Sequence, residues 1–429
     1  MTQDREAELT RTARFDRRRF GCRLTLAALA TLVAPALPAE PATDADVRRA
    51  ALPLPANQLA PSQYVVTRPG TVFVDPPARR ADLQTWPAET RAALCGEARN
   101  NWPTHGVQRN ITGDAQAAQT LALTMMEAGA RYLAEADPAA RDAIVDNLHR
   151  FAEGNAFSRL IEPVTVNHFY NLDRTLLPTI TSFALVQHDP ALDRQSVAGI
   201  RRWLDRLVRW RGPARLTDPT RPSSRNNHRY LRDSVTMAWG SVVGDNALFF
   251  TGIERFRIAL EQMRADGSLP LETDRGALAL FYQRHAISSL VAVAEMAAAQ
   301  GYDLYAMQSS DGADLHQMIR FLADGIDDPA VLAPYTDEPQ YLGFLARRGH
   351  DRHYMAWFEP YAVRFPDSDL THRLAAQIES VGGSERPMLD EYAGGPMTCL
   401  FADPTVIESV GTDAVPGPVP SETELPSSG

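Results

Sequence analysis

Residues 224–243 read SRNNHRYLRDSVTMAWGSVV, and the way this stretch begins sets the reading of the whole chain. Two adjacent amides run into a histidine, Asn226-Asn227-His228, just after Pro219 and Pro222. Asparagine favours turns and caps over helix interiors, because its short amide competes for backbone hydrogen bonds. The spacing therefore predicts a Pro-rich loop giving way to a helix over 230–243, with Asn227 and His228 at the junction. Similar apolar-periodic runs recur near 115–135, 138–153, 173–187, 191–210, 245–265, 275–300, 311–325 and 352–364. Asp137-Pro138, Asp189-Pro190 and Asp328-Pro329 each read as an N-cap followed by proline at the first helical position. Trp203, Leu204, Leu207 and Trp210 form an apolar stripe at 3.6-residue spacing, read as core. Helical hairpins with short loops and little strand signal predict an all-α domain, an incomplete α/α toroid, over 111–401.

A second junction follows the same logic. Gly267-Ser268-Leu269-Pro270 is a turn, Thr273 and Asp274 are candidate N-caps, and Gly276 to Ala299 reads as one helix. Arg275 and Tyr282 are then about two turns apart on one face, roughly 10 Å along the axis. A guanidinium arm spans that gap, and free N–H groups in a first turn favour an anion. Asn227, His228, Arg275 and Tyr282 together offer an amide, an imidazole, a guanidinium and a phenol. That set suits β-elimination on a uronic acid: amide and guanidinium neutralise the sugar carboxylate, and phenol or imidazole moves the proton. Either segment alone fits a blander reading, a buried Asn/His cap or an ordinary surface Arg–Tyr pair. A hydrolase would need two carboxylates at a fixed separation, and Asp233, Glu272 and Asp274 have no spacing that argues for it.

The two segments together resemble the periplasmic alginate (polymannuronate) lyases. Asn226-Asn227-His228-Arg229-Tyr230 is similar to that family's Asn-Asn-His-Ser-Tyr-Trp signature, and Arg275 to Ala286 is similar to its Arg…Tyr helix. Gly301-Tyr302-Asp303-Leu304, Gly325-Ile326-Asp327-Asp328 and Trp357-Phe358-Glu359-Pro360-Tyr361 resemble family segments in the same order, as does Leu148 to Ala156 more loosely. The resemblance spans roughly 110–370. It implies an α/α-toroid polysaccharide lyase without cofactor or metal, with Asn227 and Arg275 neutralising the carboxylate and His228 and Tyr282 moving the proton. Asn226, Arg225, Arg229, Tyr230, Gln283, Arg284 and Trp357 are the expected substrate-binding residues. Three departures stand out: Arg229 and Leu231 replace serine and tryptophan, Phe281 and Gln283 flank Tyr282 in place of the family's residues, and no counterpart of the family's lid segment precedes residue 110. They predict conserved chemistry with rebuilt subsites, including loss of an aromatic sugar platform.

Composition agrees with a globular protein: 44% hydrophobic, 22% charged, net charge −10. An acidic total gives no support for nucleic-acid binding. It also requires that a cleft for a polyanion be locally basic, and Arg225, Arg229, Arg232, Arg275 and Arg284 cluster accordingly. Residues 1–39 read as an export signal: Arg17-Arg18-Arg19-Phe20 precedes a short apolar run from Leu24 to Val33, about half the length of a membrane span. Export to the periplasm would leave Cys95 and Cys399, a candidate disulfide joining the start of the fold to its end. His350 and His353 lack a third ligand nearby, so no metal site is expected. Residues 40–110 read as an irregular lead-in, with minor strands at Tyr64 to Thr67 and Thr71 to Val74. Residues 402–429 read as a disordered tail. The expected partner is an anionic polysaccharide bound by a monomer.

Overall fold

In the computed structural model of the chain the described residues are 59–113, 116–210, 212 and 217–406. The export signal expected at 1–39 and nearly all of the expected tail lie outside them. The lead-in carries two short helices, α1 (Pro76–Leu83) and α2 (Ala88–Cys95). The expected strands do not form, because other groups satisfy that backbone. The Val65 N–H donates to the Tyr302 hydroxyl (2.9 Å), Val66 N–H to Asn246 Oδ1 (2.8 Å) and Arg68 N–H to Gln300 Oε1 (2.8 Å). Tyr64, Val65, Val72 and Phe73 are buried on the helical body instead.

That body is built from α3 (Gln116–Glu135), α4 (Pro138–Glu153), α5 (Val166–Val186), α6 (Arg194–Arg209), α7 (Asn227–Val243) and α8 (Asn246–Gln262). It continues through the single turn α9 (Pro270–Thr273), α10 (Ala279–Ala299), α11 (Leu315–Asp327), α12 (Phe358–Arg364), α13 (Asp369–Glu379) and α14 (Met397–Phe401). The strand content among described residues is a two-residue parallel pair, β1 (Asn110–Ile111) with β2 (Arg159–Leu160).

Helices α3, α5, α7 and α10 pack side by side in chain order, and α4, α6, α8 and α11 back them. This alternation of inner and outer helices is the geometry of an α/α toroid. Burial separates the two layers. Helix α6 shows solvent one broad face and buries Ile200, Trp203, Leu204, Leu207 and Val208. Helix α10 is buried from Ala279 to Ala297 at every position except Tyr282, and α5 from Phe169 to Val186 at every position except Tyr170. The segment Gly276–Ala299 is apolar and long enough to cross a membrane, but most of it is buried in protein, as befits an inner helix.

Caps set most boundaries. Asp137 accepts from the Ala139 N–H and precedes Pro138, as expected. Asp189 starts no helix: its carboxylate is taken by the Ala191 N–H and the Tyr132 hydroxyl, and Asp193 caps α6 instead. Thr273 and Asp274 close α9 rather than opening the next helix, and a 3-10 turn, Gly276–Leu278, separates Arg275 from α10.

Cys95 at the end of α2 is bonded to Cys399 in α14, their Cα atoms 4.9 Å apart across 304 residues of sequence. Replacing Cys399 by alanine is expected to lower the unfolding free energy by about 2–5 kcal/mol, since the bridge restricts a long loop in the unfolded chain. Denaturant midpoints of the oxidised protein and the variant measure this; equal midpoints would show that the bridge contributes nothing.

Candidate active site

The interruptions in the buried runs of the inner helices fall together. Tyr170 lies in the second turn of α5, His228 in the first of α7 and Tyr282 in the first of α10. The Tyr170 and His228 rings stack with centroids 4.0 Å apart. Tyr392 continues the circuit, 5.8 Å from Tyr170 and 4.3 Å from His285, whose ring is 5.8 Å from Tyr282. The three inner helices therefore present their N-terminal ends at one place, where the helix dipoles favour an anion.

Asn226, not Asn227, caps α7: its Oδ1 accepts the His228 N–H at 3.1 Å. Asn227 is the first helical residue and is buried, with its Nδ2 3.0 Å from the Tyr170 hydroxyl and its Oδ1 without a partner. Turning the amide over lets the Tyr170 O–H donate to Oδ1 and frees both N–H groups. The backbone N–H of Asn227 donates to Glu272 Oε1 at 2.8 Å. Burial, and secondarily the charge of Arg275, pushes His228 down to about 4, so its imidazole is neutral at ordinary pH.

Arg275 lies with its guanidinium 4.0 Å from the centre of the Tyr282 ring. Among the described residues it has no ion-pair partner. The gap expected across two helical turns is closed by the 3-10 turn, which carries Arg275 over the phenol. A cavity of about 240 Å³ opens beside His228, walled by Phe169, Tyr170, Asp173, Arg229 and Arg232 among others. Arg275 and Tyr282 do not line it; the charge of Arg275 acts on His228 from the α10 side.

Behind the circuit lies a buried charge cluster. Arg174 pairs with Glu391 at 2.5 Å, and Arg348 lies 3.3 Å from Glu391 and 3.5 Å from Asp390. Burial opposes ionisation of Glu391, but Arg348 and Arg174 hold its carboxyl well below the usual carboxylate range. Burial and the neighbouring Glu391 charge push Asp390 up. With Arg284, three cations face two carboxylates there, so the floor of the site leans positive in a chain of net charge −10.

Most of the expected substrate-binding residues are buried and do not line the cavity beside His228. Besides Asn226, Tyr230 is buried and donates to Gln262 (3.2 Å). Gln283 is buried between the Leu269 N–H and the Gly267 carbonyl, both 3.0 Å away. Arg284 is buried and donates to the Tyr354 carbonyl at 3.0 Å, and Trp357 is buried too. Successive helical residues point about 100° apart, so neighbours of a site residue in sequence need not share its face. Arg225 remains exposed, and Arg229 lines the cavity with its Nε held by Asp233, which Arg255 shares (2.8 Å each). Asp233 is thus buried and neutralised, which removes it from any hydrolytic pair. Leu231 is buried, and Tyr170 supplies an aromatic face to the cavity. Sequence reasoning missed Tyr170 because it started that helix at 173. Taking Thr165 as the cap would have placed Tyr170 inside it.

The alginate lyase family profile matches residues 96–332, more than half of the chain. The chain belongs to the alginate lyase family. It is 30% identical over 244 residues to a polysaccharide lyase of Stenotrophomonas maltophilia, covering 56% of this chain and 67% of that one. To an alginate lyase of Pseudomonas syringae pv. tomato it is 35% identical over 180 residues, 42% of this chain. It spans less than half, 44%, of that relative's length. The crystal structure of alginate lyase A1-III from Sphingomonas species A1 superposes with a TM-score of 0.66 at 25% identity, covering 81% of this chain and all of that one. Two further A1-III structures, each complexed with a tetrasaccharide, give TM-scores of 0.69 at 24% identity. One carries a histidine-to-alanine and the other a tyrosine-to-phenylalanine substitution. The fold is the α/α toroid of those proteins, and with family membership comes the enzyme class, a polysaccharide lyase.

Proposed function

We propose that the chain cleaves β-1,4-linked polyuronates by syn β-elimination, with polymannuronate, the mannuronate form of alginate, as its preferred substrate. The observation that carries this reading is Arg275, a cation without an ion-pair partner among the described residues, lying over the Tyr282 phenol beside a neutral His228. Arg275 and Asn227 take the carboxylate of the sugar and acidify the hydrogen on carbon 5. Tyr282 or His228 removes that proton, the bond from carbon 4 to its oxygen breaks, a double bond forms between carbons 4 and 5, and the departing oxygen receives a proton from the same or the other group.

His228 and Tyr282 stand 54 residues apart, the separation of the histidine and tyrosine substituted in the two A1-III complexes, which supports giving them these roles. In mannuronate and glucuronate the hydrogen on carbon 5 and the oxygen on carbon 4 lie on the same side, so one group can serve both steps. In guluronate they lie on opposite sides. Glucuronan or a glucuronate-containing exopolysaccharide is the second reading, because the elimination geometry is the same. A glycan-binding protein with a dead site is disfavoured, since all four groups of the set are present. The Cys95–Cys399 bridge and the Arg-rich start of the chain support export to the periplasm.

The test is a panel of polymannuronate, polyguluronate and glucuronan, followed by the ultraviolet absorbance of the unsaturated product. Cleavage of polymannuronate or glucuronan well ahead of polyguluronate is expected. A preference for polyguluronate over both would overturn the syn mechanism.

A further inference from the structure

Glu272 is a buried carboxyl that the elimination leaves unused. It sits in α9, fully enclosed, and reaches across 45 residues of sequence to accept the Asn227 N–H at 2.8 Å. That N–H is one of the donors at the start of α7 that the helix itself cannot satisfy. The second carboxyl oxygen, Oε2, has no partner. A cavity of about 190 Å³ lies against it, lined also by Arg225, Tyr230 and Gln262. The polar groups around it are thus Asn227 and Tyr230 from α7, Gln262 from α8, Arg225 from the preceding turn and Arg275 from the segment just beyond its own.

We propose that Glu272 is a positioning residue whose uncharged form holds Asn227 and His228 in place and leaves Arg275 to the substrate carboxylate, while its charged form competes for Arg275. The proposal rests on the polyuronate reading above. Asn227 and Arg275 are the two groups offered to the sugar carboxylate, and Glu272 contacts one directly and interacts with the other through charge. A buried carboxylate with one oxygen unsatisfied is costly, so the acid form is favoured in the empty site. Burial pushes Glu272 up to about 8, with the Asn227 N–H and Arg275 pulling the other way. Above that pH the charged form gains ground, and each further unit should weaken substrate binding up to about tenfold.

The experiment compares wild type, Glu272→Gln and Glu272→Ala across pH 6–10 (roughly two units either side of this value). Glutamine keeps the acceptor for the Asn227 N–H and cannot ionise. The wild-type KM should rise on the alkaline side while kcat changes little, and Glu272→Gln should lose that rise. Glu272→Ala should lose activity at neutral pH, and Glu272→Gln should restore most of it. An alkaline KM profile in Glu272→Gln matching wild type overturns the proposal, as does a glutamine variant as impaired as the alanine one. Infrared difference titration gives a readout independent of turnover: a carboxylic-acid band present in wild type at neutral pH and absent from Glu272→Gln. Absence of that band in wild type also overturns the proposal. If no polyuronate is cleaved at any pH while the band is present, the substrate reading falls, and with it the role assigned here.

Discussion

Tyr282→Phe is expected to reduce turnover on the preferred polyuronate by about 10²–10⁴, the usual cost of losing a general acid or base. The substitution removes one oxygen from a partly buried ring and leaves its packing intact. The ring still meets Phe281 and His285, and its face still carries the Arg275 guanidinium at 4.0 Å. Thermal stability should therefore stay near wild type while the rate collapses, which separates chemistry from folding. Substrate should still bind, because the groups assigned to the carboxylate are untouched. Near-normal turnover in this variant would remove the tyrosine from the mechanism and leave His228, neutral and stacked on Tyr170, as the base.

Arg275→Ala is expected to lower kcat/KM by about 10²–10³, comparable to removing one donor from a charge-stabilising site. Two accompanying changes distinguish this from a general loss of structure. The wild type should prefer free polyuronate over its methyl ester, and the variant should lose that preference, because the cation reading the carboxylate is gone. The charge of Arg275 also disfavours the imidazolium form of His228. Without it the histidine should protonate more readily, so the acid limb of activity should move to higher pH. Equal wild-type activity on ester and acid, or an acid limb unmoved in the variant, would contradict the carboxylate clamp.

Much of this arrangement was legible in the sequence because it rests on local rules. The Asp137-Pro138 cap, the apolar stripe of α6 and the Asn-Asn-His junction each depend on residues a few positions apart, and α4 forms over the expected span. The four groups of the proposed elimination also fell into one region. What escaped was decided at long range. Glu272 reaches α7 from another segment, and Tyr392 joins the aromatic circuit from the far end of the chain. Periodicity cannot show either contact. The buried fates of Tyr230, Gln283 and Arg284 were equally hidden, since a polar residue beside a site residue looks the same whether it faces the cleft or ties down a loop. The expected strands near Tyr64 and Thr71 failed for a related reason: side chains from distant helices took their backbone groups.

The Cys95–Cys399 bridge has a topological consequence. Residues 96–398 form one covalent loop, and Tyr170, Asn227, His228, Glu272, Arg275, Tyr282 and Tyr392 all lie within it. A protease that nicks any connection inside the loop produces two polypeptides that stay tethered. Such a clipped molecule would migrate as one species without reductant and as two with it. The inner helices, held in place by their own packing, would keep the rings and charges in register. Protein cut once in an exposed turn, such as the one around Asp218 and Thr220, could then remain an intact working unit for as long as the two sulfurs stay joined.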